Sequence, residues 1–273
     1  MAVDEAEPEL PPLSELGEDL LDMTPLWRGV ALASPFVCTA LFFALASGGV
    51  WWLALPCLAA HTFLTYASVS HDLVHGTLRL PPPVNEVLLA LVELSGLRSG
   101  HAYRASHLFH HRQFPDVEDL EGSPARMTLW RTLLEGPVYL WRLGFWAWRN
   151  GRRRERVWIG MEAAAILLYV ALALYLWLAG ATALPVIYGG LLVLGSWLFP
   201  FVFVYLMHDA AGRSAFFQTR AFRGRLVPAL MLHHTYHLEH HLYPMVPARN
   251  WRALGRRLDP LLERAGVRPI RLP

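Results

Sequence analysis

Four apolar runs organise the chain, at about 29–47, 50–70, 157–179 and 184–207. A helix rises about 1.5 Å per residue, so roughly 20 residues cross a hydrocarbon core about 30 Å thick. Each run has about that length. Gly48–Gly49 separates the first two and the short link Gly180–Pro185 the last two, so the pattern predicts two helical hairpins. Two further segments are apolar without being fit to span. Residues 84–97 are too short and hold Glu86 and Glu93, which suggests a partly buried or re-entrant helix. Residues 129–158 interleave Trp130, Trp141, Trp146, Trp148 and Trp158 with Arg131, Arg142 and Arg149, a mixture suited to a helix in the lipid headgroup layer. Residues 246–265 have the pattern of a soluble amphipathic helix.

Charge gives the runs a direction. All 24 basic residues are arginine, and none falls in 29–78 or 157–212. After two crossings the chain returns to the side of its N-terminus, and after four it does so again, so both Arg-rich stretches share one side. The positive-inside rule makes that side cytoplasmic. Composition agrees with a membrane protein: 54% of residues are hydrophobic and the mean hydropathy is +0.30. Cys38 and Cys57 lie inside apolar runs without a pairing or CxxC pattern, which argues against disulfides and thiolate metal sites. The acidic N-terminus (Asp4, Glu5, Glu7, Glu9, Glu15, Glu18, Asp19, Asp22) has the wrong charge for a secretory leader. The expected fold class is therefore all-α integral membrane: four transmembrane helices as two hairpins with a cytoplasmic helical cap. Residues 1–27 are expected to be an acidic mobile tail, and 28–273 a single domain. The expected location is a bacterial inner membrane, with both termini cytoplasmic and no nucleic-acid partner.

The candidate chemistry lies in 13 histidines. His71-Asp-Leu-Val-His75 ends the second run, His107-Leu-Phe-His110-His111 follows in the Arg-rich segment, and His237-Leu-Glu-His240-His241 follows the fourth run. Residues at i, i+3 and i+4 share a helix face, so HxxxH presents two imidazoles together and HxxHH three. Neutral imidazole is a good ligand for Fe, Zn or Cu. All three boxes fall on the predicted cytoplasmic side and can converge at one end of the bundle. His61, alone within a span, is expected to be a packing residue, and His101 to be hydrogen-bonded or exposed.

The boxes HDLVH, HLFHH and HLEHH, with YHLEHHLYPMVP around the third, resemble those of the membrane fatty acid desaturase superfamily, which also contains carotenoid hydroxylases. The resemblance runs from about residue 29 to 260 and includes the two-hairpin layout. It implies a centre of two irons, O2 as cosubstrate, an external electron donor and oxidation of a lipid C–H bond. The implied ligands are His71, His75, His107, His110, His111, His237, His240 and His241. The family adds a histidine just after the fourth span; His208 stands there, with His233 and His234 as alternatives. Ligating imidazoles need partners for their other ring nitrogen, and Asp72, Glu239, Asp209, Asp116 and Asp119 are the carboxylates placed to serve.

The expected activity is acyl-lipid desaturation, the alternative within the superfamily being a carotenoid ring hydroxylase. From another class, a non-redox zinc-binding membrane protein is the competing reading. A zinc protease would need HExxH, and HDLVH lacks its glutamate. Neither a fused haem-domain motif nor ferredoxin cysteine spacing is visible, so electrons are expected from a separate ferredoxin-like donor drawn to the Arg-rich face.

Overall fold

The computed structural model describes residues 8–273, and the start of the acidic tail lies outside them. The protein is 69% helical. Its frame is α1 (Pro25–Ser47), α2 (Trp51–His75), α3 (Pro82–Ser95), α4 (Gly100–Gln113), α5 (Leu129–Asn150), α6 (Arg153–Leu178), α7 (Leu184–Tyr205), α8 (His237–Leu242) and α9 (Trp251–Arg264). The helical segments that include α1, α2, α6 and α7 are each long and apolar enough to cross a membrane. They leave large side chains such as Leu41, Trp52, Leu167, Leu168 and Leu178 exposed. Apolar surface on that scale needs a partner, and acyl chains are the natural one.

Two of these helices change register before they end. In α2 a π turn, Thr65–Val69, sits immediately ahead of Ser70–His75, and α7 closes with another, Pro200–Tyr205. Such a turn inserts an extra residue and reorients everything after it. Both lie just upstream of histidines.

Helices α3 and α4 form a hairpin packed among the long helices. Ser95 near its tip holds His61 (Nε2–Oγ 2.8 Å), and its carbonyl accepts from Tyr188 (2.6 Å). His61 is thus a packing residue. The segment 84–97 becomes α3, and its tip reaches the middle of α2 rather than the histidine end. Helix α5 is amphipathic, with Trp130, Leu134, Trp141 and Phe145 exposed and Tyr139, Leu143 and Ala147 buried. It runs so close to α7 that a Cβ at Gly136 would overlap the Trp197 carbonyl.

Residues 8–22 differ from the expected mobile tail. Leu20 is buried in the cluster formed by α9 and its neighbours, with Leu13 and Leu16 packed alongside. Tyr243 donates to the Pro11 carbonyl (2.7 Å), and Asn250 donates to the carbonyls of Leu20 (2.9 Å) and Asp22 (3.0 Å). Acidic composition masks a short apolar stripe here, and the stripe finds α9. At the other end, Phe222–Arg223 pairs in parallel with Ile270–Arg271, which ties down the C-terminus.

Candidate metal centre

The three boxes and His208 meet at one place. His71, His75, His107, His111 and His240 form one group; His110, His208 and His241 form a second; within each, the facing atoms all lie within 4.8 Å of one another. His237 joins the second group, its Nε2 3.1 Å from that of His241. The two HxxHH boxes divide alike. Each sends its i, i+4 pair to one group and its middle histidine to the other: His107 and His111 with His240, His237 and His241 with His110. The groups touch, the rings of His111 and His241 standing 4.4 Å apart.

Proton accounting tests whether a cation fits. His107 Nδ1 lies 2.7 Å from Glu121 Oε1, and His110 Nδ1 lies 2.7 Å from Asp119 Oδ2. His208 Nδ1 lies 3.1 Å from the Val204 carbonyl, which can only accept. Each of these three histidines therefore spends its Nδ1 proton outward and presents an Nε2 lone pair inward. Yet His110 Nε2 and His208 Nε2 are 3.0 Å apart. Facing lone pairs at that distance repel unless a cation lies between them. Two nitrogens each about 2.1 Å from one ion, and at right angles, stand about 3 Å apart. The buried Nε2 of His75 also has no hydrogen-bond partner among the described residues.

Six of the imidazoles are held neutral. Burial, reinforced by neighbouring histidines, keeps His107, His208, His237, His240 and His241 well below the usual imidazole range. Burial pushes His111 down to about 2. His110 differs: burial pulls it down too, but the Asp119 hydrogen bond and charge lift it above the ordinary value. Burial pushes Glu121 up to about 7.

Of the five candidate orienting carboxylates, the structure brings Asp119 against a histidine and places the other four elsewhere. Asp72 accepts from the Ala248 N–H (2.9 Å) and Thr77 Oγ1 (2.8 Å), linking α2 to the C-terminal segment. Glu239 faces Arg223 at 2.6 Å. Asp209 and Asp116 accept from backbone N–H groups two residues on, Ala211 and Glu118. Sequence reasoning missed Glu121, although the acidic run Asp116–Glu121 beside the second box was a signal. A turn at 231–235 separates the two alternative histidines, His233 and His234, from the helix that begins at His237. His233 is only partly buried, with a positive φ of 65°. His234 is buried 4.7 Å (ring to ring) from His237 but belongs to neither group. His101 is buried between Glu162 (2.7 Å) and Glu86 (3.2 Å).

A sequence model described as fatty acid desaturase matches residues 49–272. The chain belongs to the fatty acid desaturase family. It is also similar to the sn-2 acyl-lipid omega-3 desaturase (ferredoxin), chloroplastic, of Arabidopsis thaliana, at 32% identity over 124 residues. That match covers 37% of this chain and 28% of the relative. Its four apolar helices, long enough to cross a membrane, suit that family.

Proposed function

We propose that this protein is an O2-dependent di-iron oxidase of lipid C–H bonds, most specifically an acyl-lipid desaturase. The observation that carries this reading is the pair of touching histidine groups, with lone pairs already aimed inward. His71, His75, His107, His111 and His240 would hold one iron; His110, His208, His237 and His241 would hold the other. Bound there, the irons would activate O2 to remove two hydrogens from neighbouring methylenes, with two electrons and two protons completing two waters.

The chain's own residues do the rest. Asp119, Glu121 and the Val204 carbonyl fix three imidazoles in the tautomer that ligates. Trp251, fully buried, packs against His71 (5.1 Å) and His240 (4.9 Å) and keeps water from that side. Tyr103 separates His107 (5.2 Å) from a large apolar cavity of about 500 Å³, where the hydrocarbon chain would lie. Electrons would come from a separate ferredoxin-type donor, an idea that the relative's name supports, docking at the Arg-rich side. The positive-inside rule makes that side cytoplasmic.

The test is lipid and pigment profiling of cells expressing wild type or His240→Ala, with iron quantified in the purified protein. The expected result is new acyl double bonds in wild type alone and about two irons per chain. Hydroxylated carotenoids with unchanged acyl chains would move the substrate. Zinc without any oxidised lipid would overturn the proposal.

A further inference from the structure

The cavity behind Tyr103 is not uniformly apolar. Along α4 its wall is Ser99, Ala102, Tyr103 and Ser106, one helical face two turns long, or roughly 10 Å. Phe145 and Leu167, both largely exposed, stand at the opening between α5 and α6, so the cavity faces the surface that lipid would cover. At the end away from the histidines lie Glu93 and Arg98, from the tip of the α3–α4 hairpin. Glu93 is fully buried and the Arg98 side chain is 10% exposed.

Arg98 has more donors than the protein uses. Its Nε donates to Glu93 (2.6 Å), and its Nη2 donates to Thr65 Oγ1 (2.7 Å) and Glu93 (3.3 Å). The guanidinium lies against the faces of Phe199 (5.3 Å) and Tyr66 (6.0 Å). Nη1 has no hydrogen-bond partner among the described residues. The fork is seated over Gly96, where a Cβ would stand 2.9 Å from Nη1. Glu93 offsets the charge of Arg98, so the spare N–H suits a neutral oxygen better than an anion. An ionisable pair in such a setting is costly and usually serves a purpose.

We infer that this cavity binds a long-chain lipid bearing a neutral acceptor oxygen, a hydroxyl or a carbonyl, and that Arg98 Nη1 takes that oxygen. The inference deepens the lipid-oxidase reading and rests on it for the direction in which the chain lies. The oxygen sits at the Arg98 end and the hydrocarbon runs along α4 toward Tyr103 and His107. The carbon presented to the histidines is then set by its distance from the oxygen, about 10 Å or more. Arg98 is a specificity-determining residue, and a plain alkane lacks the handle it reads.

Binding tests this without any turnover, so its failure is distinct from failure of the oxidase reading. Purified delipidated full-length protein is incubated in micelles with an equimolar mixture of hexadecanol, methyl palmitate and hexadecane. Retained lipid is then counted by native mass spectrometry. Hexadecanol, methyl palmitate or both should be retained about tenfold or more over hexadecane, and whichever is preferred assigns hydroxyl or carbonyl as the source of the oxygen. In Arg98→Lys the pair with Glu93 survives but Nη1 is gone, so the preference should fall to near one with hexadecane retention unchanged. Gly144 lines the cavity and has open space at its Cβ position, so Gly144→Phe should fold and exclude all three lipids. Equal retention of all three by wild type overturns the inference, as does a preference that survives Arg98→Lys. Should Arg98→Lys fail to fold, Gly144→Phe decides: a preference that persists places the lipid elsewhere and sinks the proposal.

Discussion

Glu121 Oε1 and His107 Nδ1 are 2.7 Å apart across a loop, and that contact fixes which nitrogen of the imidazole faces the other histidines. Asp119 does the same for His110 from two residues earlier. One short acidic stretch therefore orients one histidine of each group.

Removing that control should weaken metal binding before it affects folding. Glu121→Ala is expected to lower metal affinity about 10- to 100-fold. Glu121→Gln, which keeps an acceptor oxygen, should recover part of the loss. Chelator competition on the purified variants checks this, and unchanged affinity in Glu121→Ala would remove Glu121 from the site's support.

Metal-free protein should lose stability as the pH falls. His111 and His234 are buried and pushed down to about 2 and about 3, whereas an unfolded chain takes up their protons near 6.5. The unfolded state then binds more protons below about 6.5, so the contribution is present above that pH and lost as pH falls below it. Thermal unfolding of chelator-treated protein should show a lower midpoint at pH 5.5 than at pH 7.5. A higher midpoint at pH 5.5 would contradict the burial of these rings.

Glu239 lies inside the third box but depends on Arg223, which also reaches Asp259 at 2.6 Å. Arg223→Ala strands a fully buried carboxylate and should cost roughly 3–5 kcal/mol. The double variant with Glu239→Gln should be more stable than Arg223→Ala alone. Denaturation midpoints of the three proteins decide, and equal midpoints for the two variants would mean Glu239 does not need its partner.

Leu20 should behave as a core residue despite its acidic surroundings. Leu20→Ala is expected to destabilise by about 2–5 kcal/mol, whereas a mobile tail would register nothing. A midpoint indistinguishable from wild type would restore the tail.

The comparison of sequence and structure turns on range. The four long helices were legible because hydropathy sums over some twenty residues, and the boxes because i, i+3, i+4 spacing is a helix's own geometry. Asp72 and Glu239 were misleading for the same reason. A residue next to a ligand on a helix points about 100° away from it, so adjacency in sequence separates such side chains. Asp119 and Glu121 reach their histidines through a loop whose path no periodicity encodes. The Leu13, Leu16 and Leu20 stripe was too short to stand out among eight acidic residues, and only α9 gives it meaning.

The π turn ahead of His71 makes α2 two rods joined at an offset. One extra residue turns the distal rod by about 100° against the proximal one. The lipid-facing portion can thus accept substitutions under its own rules while the portion bearing histidine keeps its heading. Deleting one residue from Thr65–Val69 would leave a continuous, apolar helix and still swing His71 and His75 out of the cluster. The length of that turn, rather than the identity of any side chain in it, aims the first box.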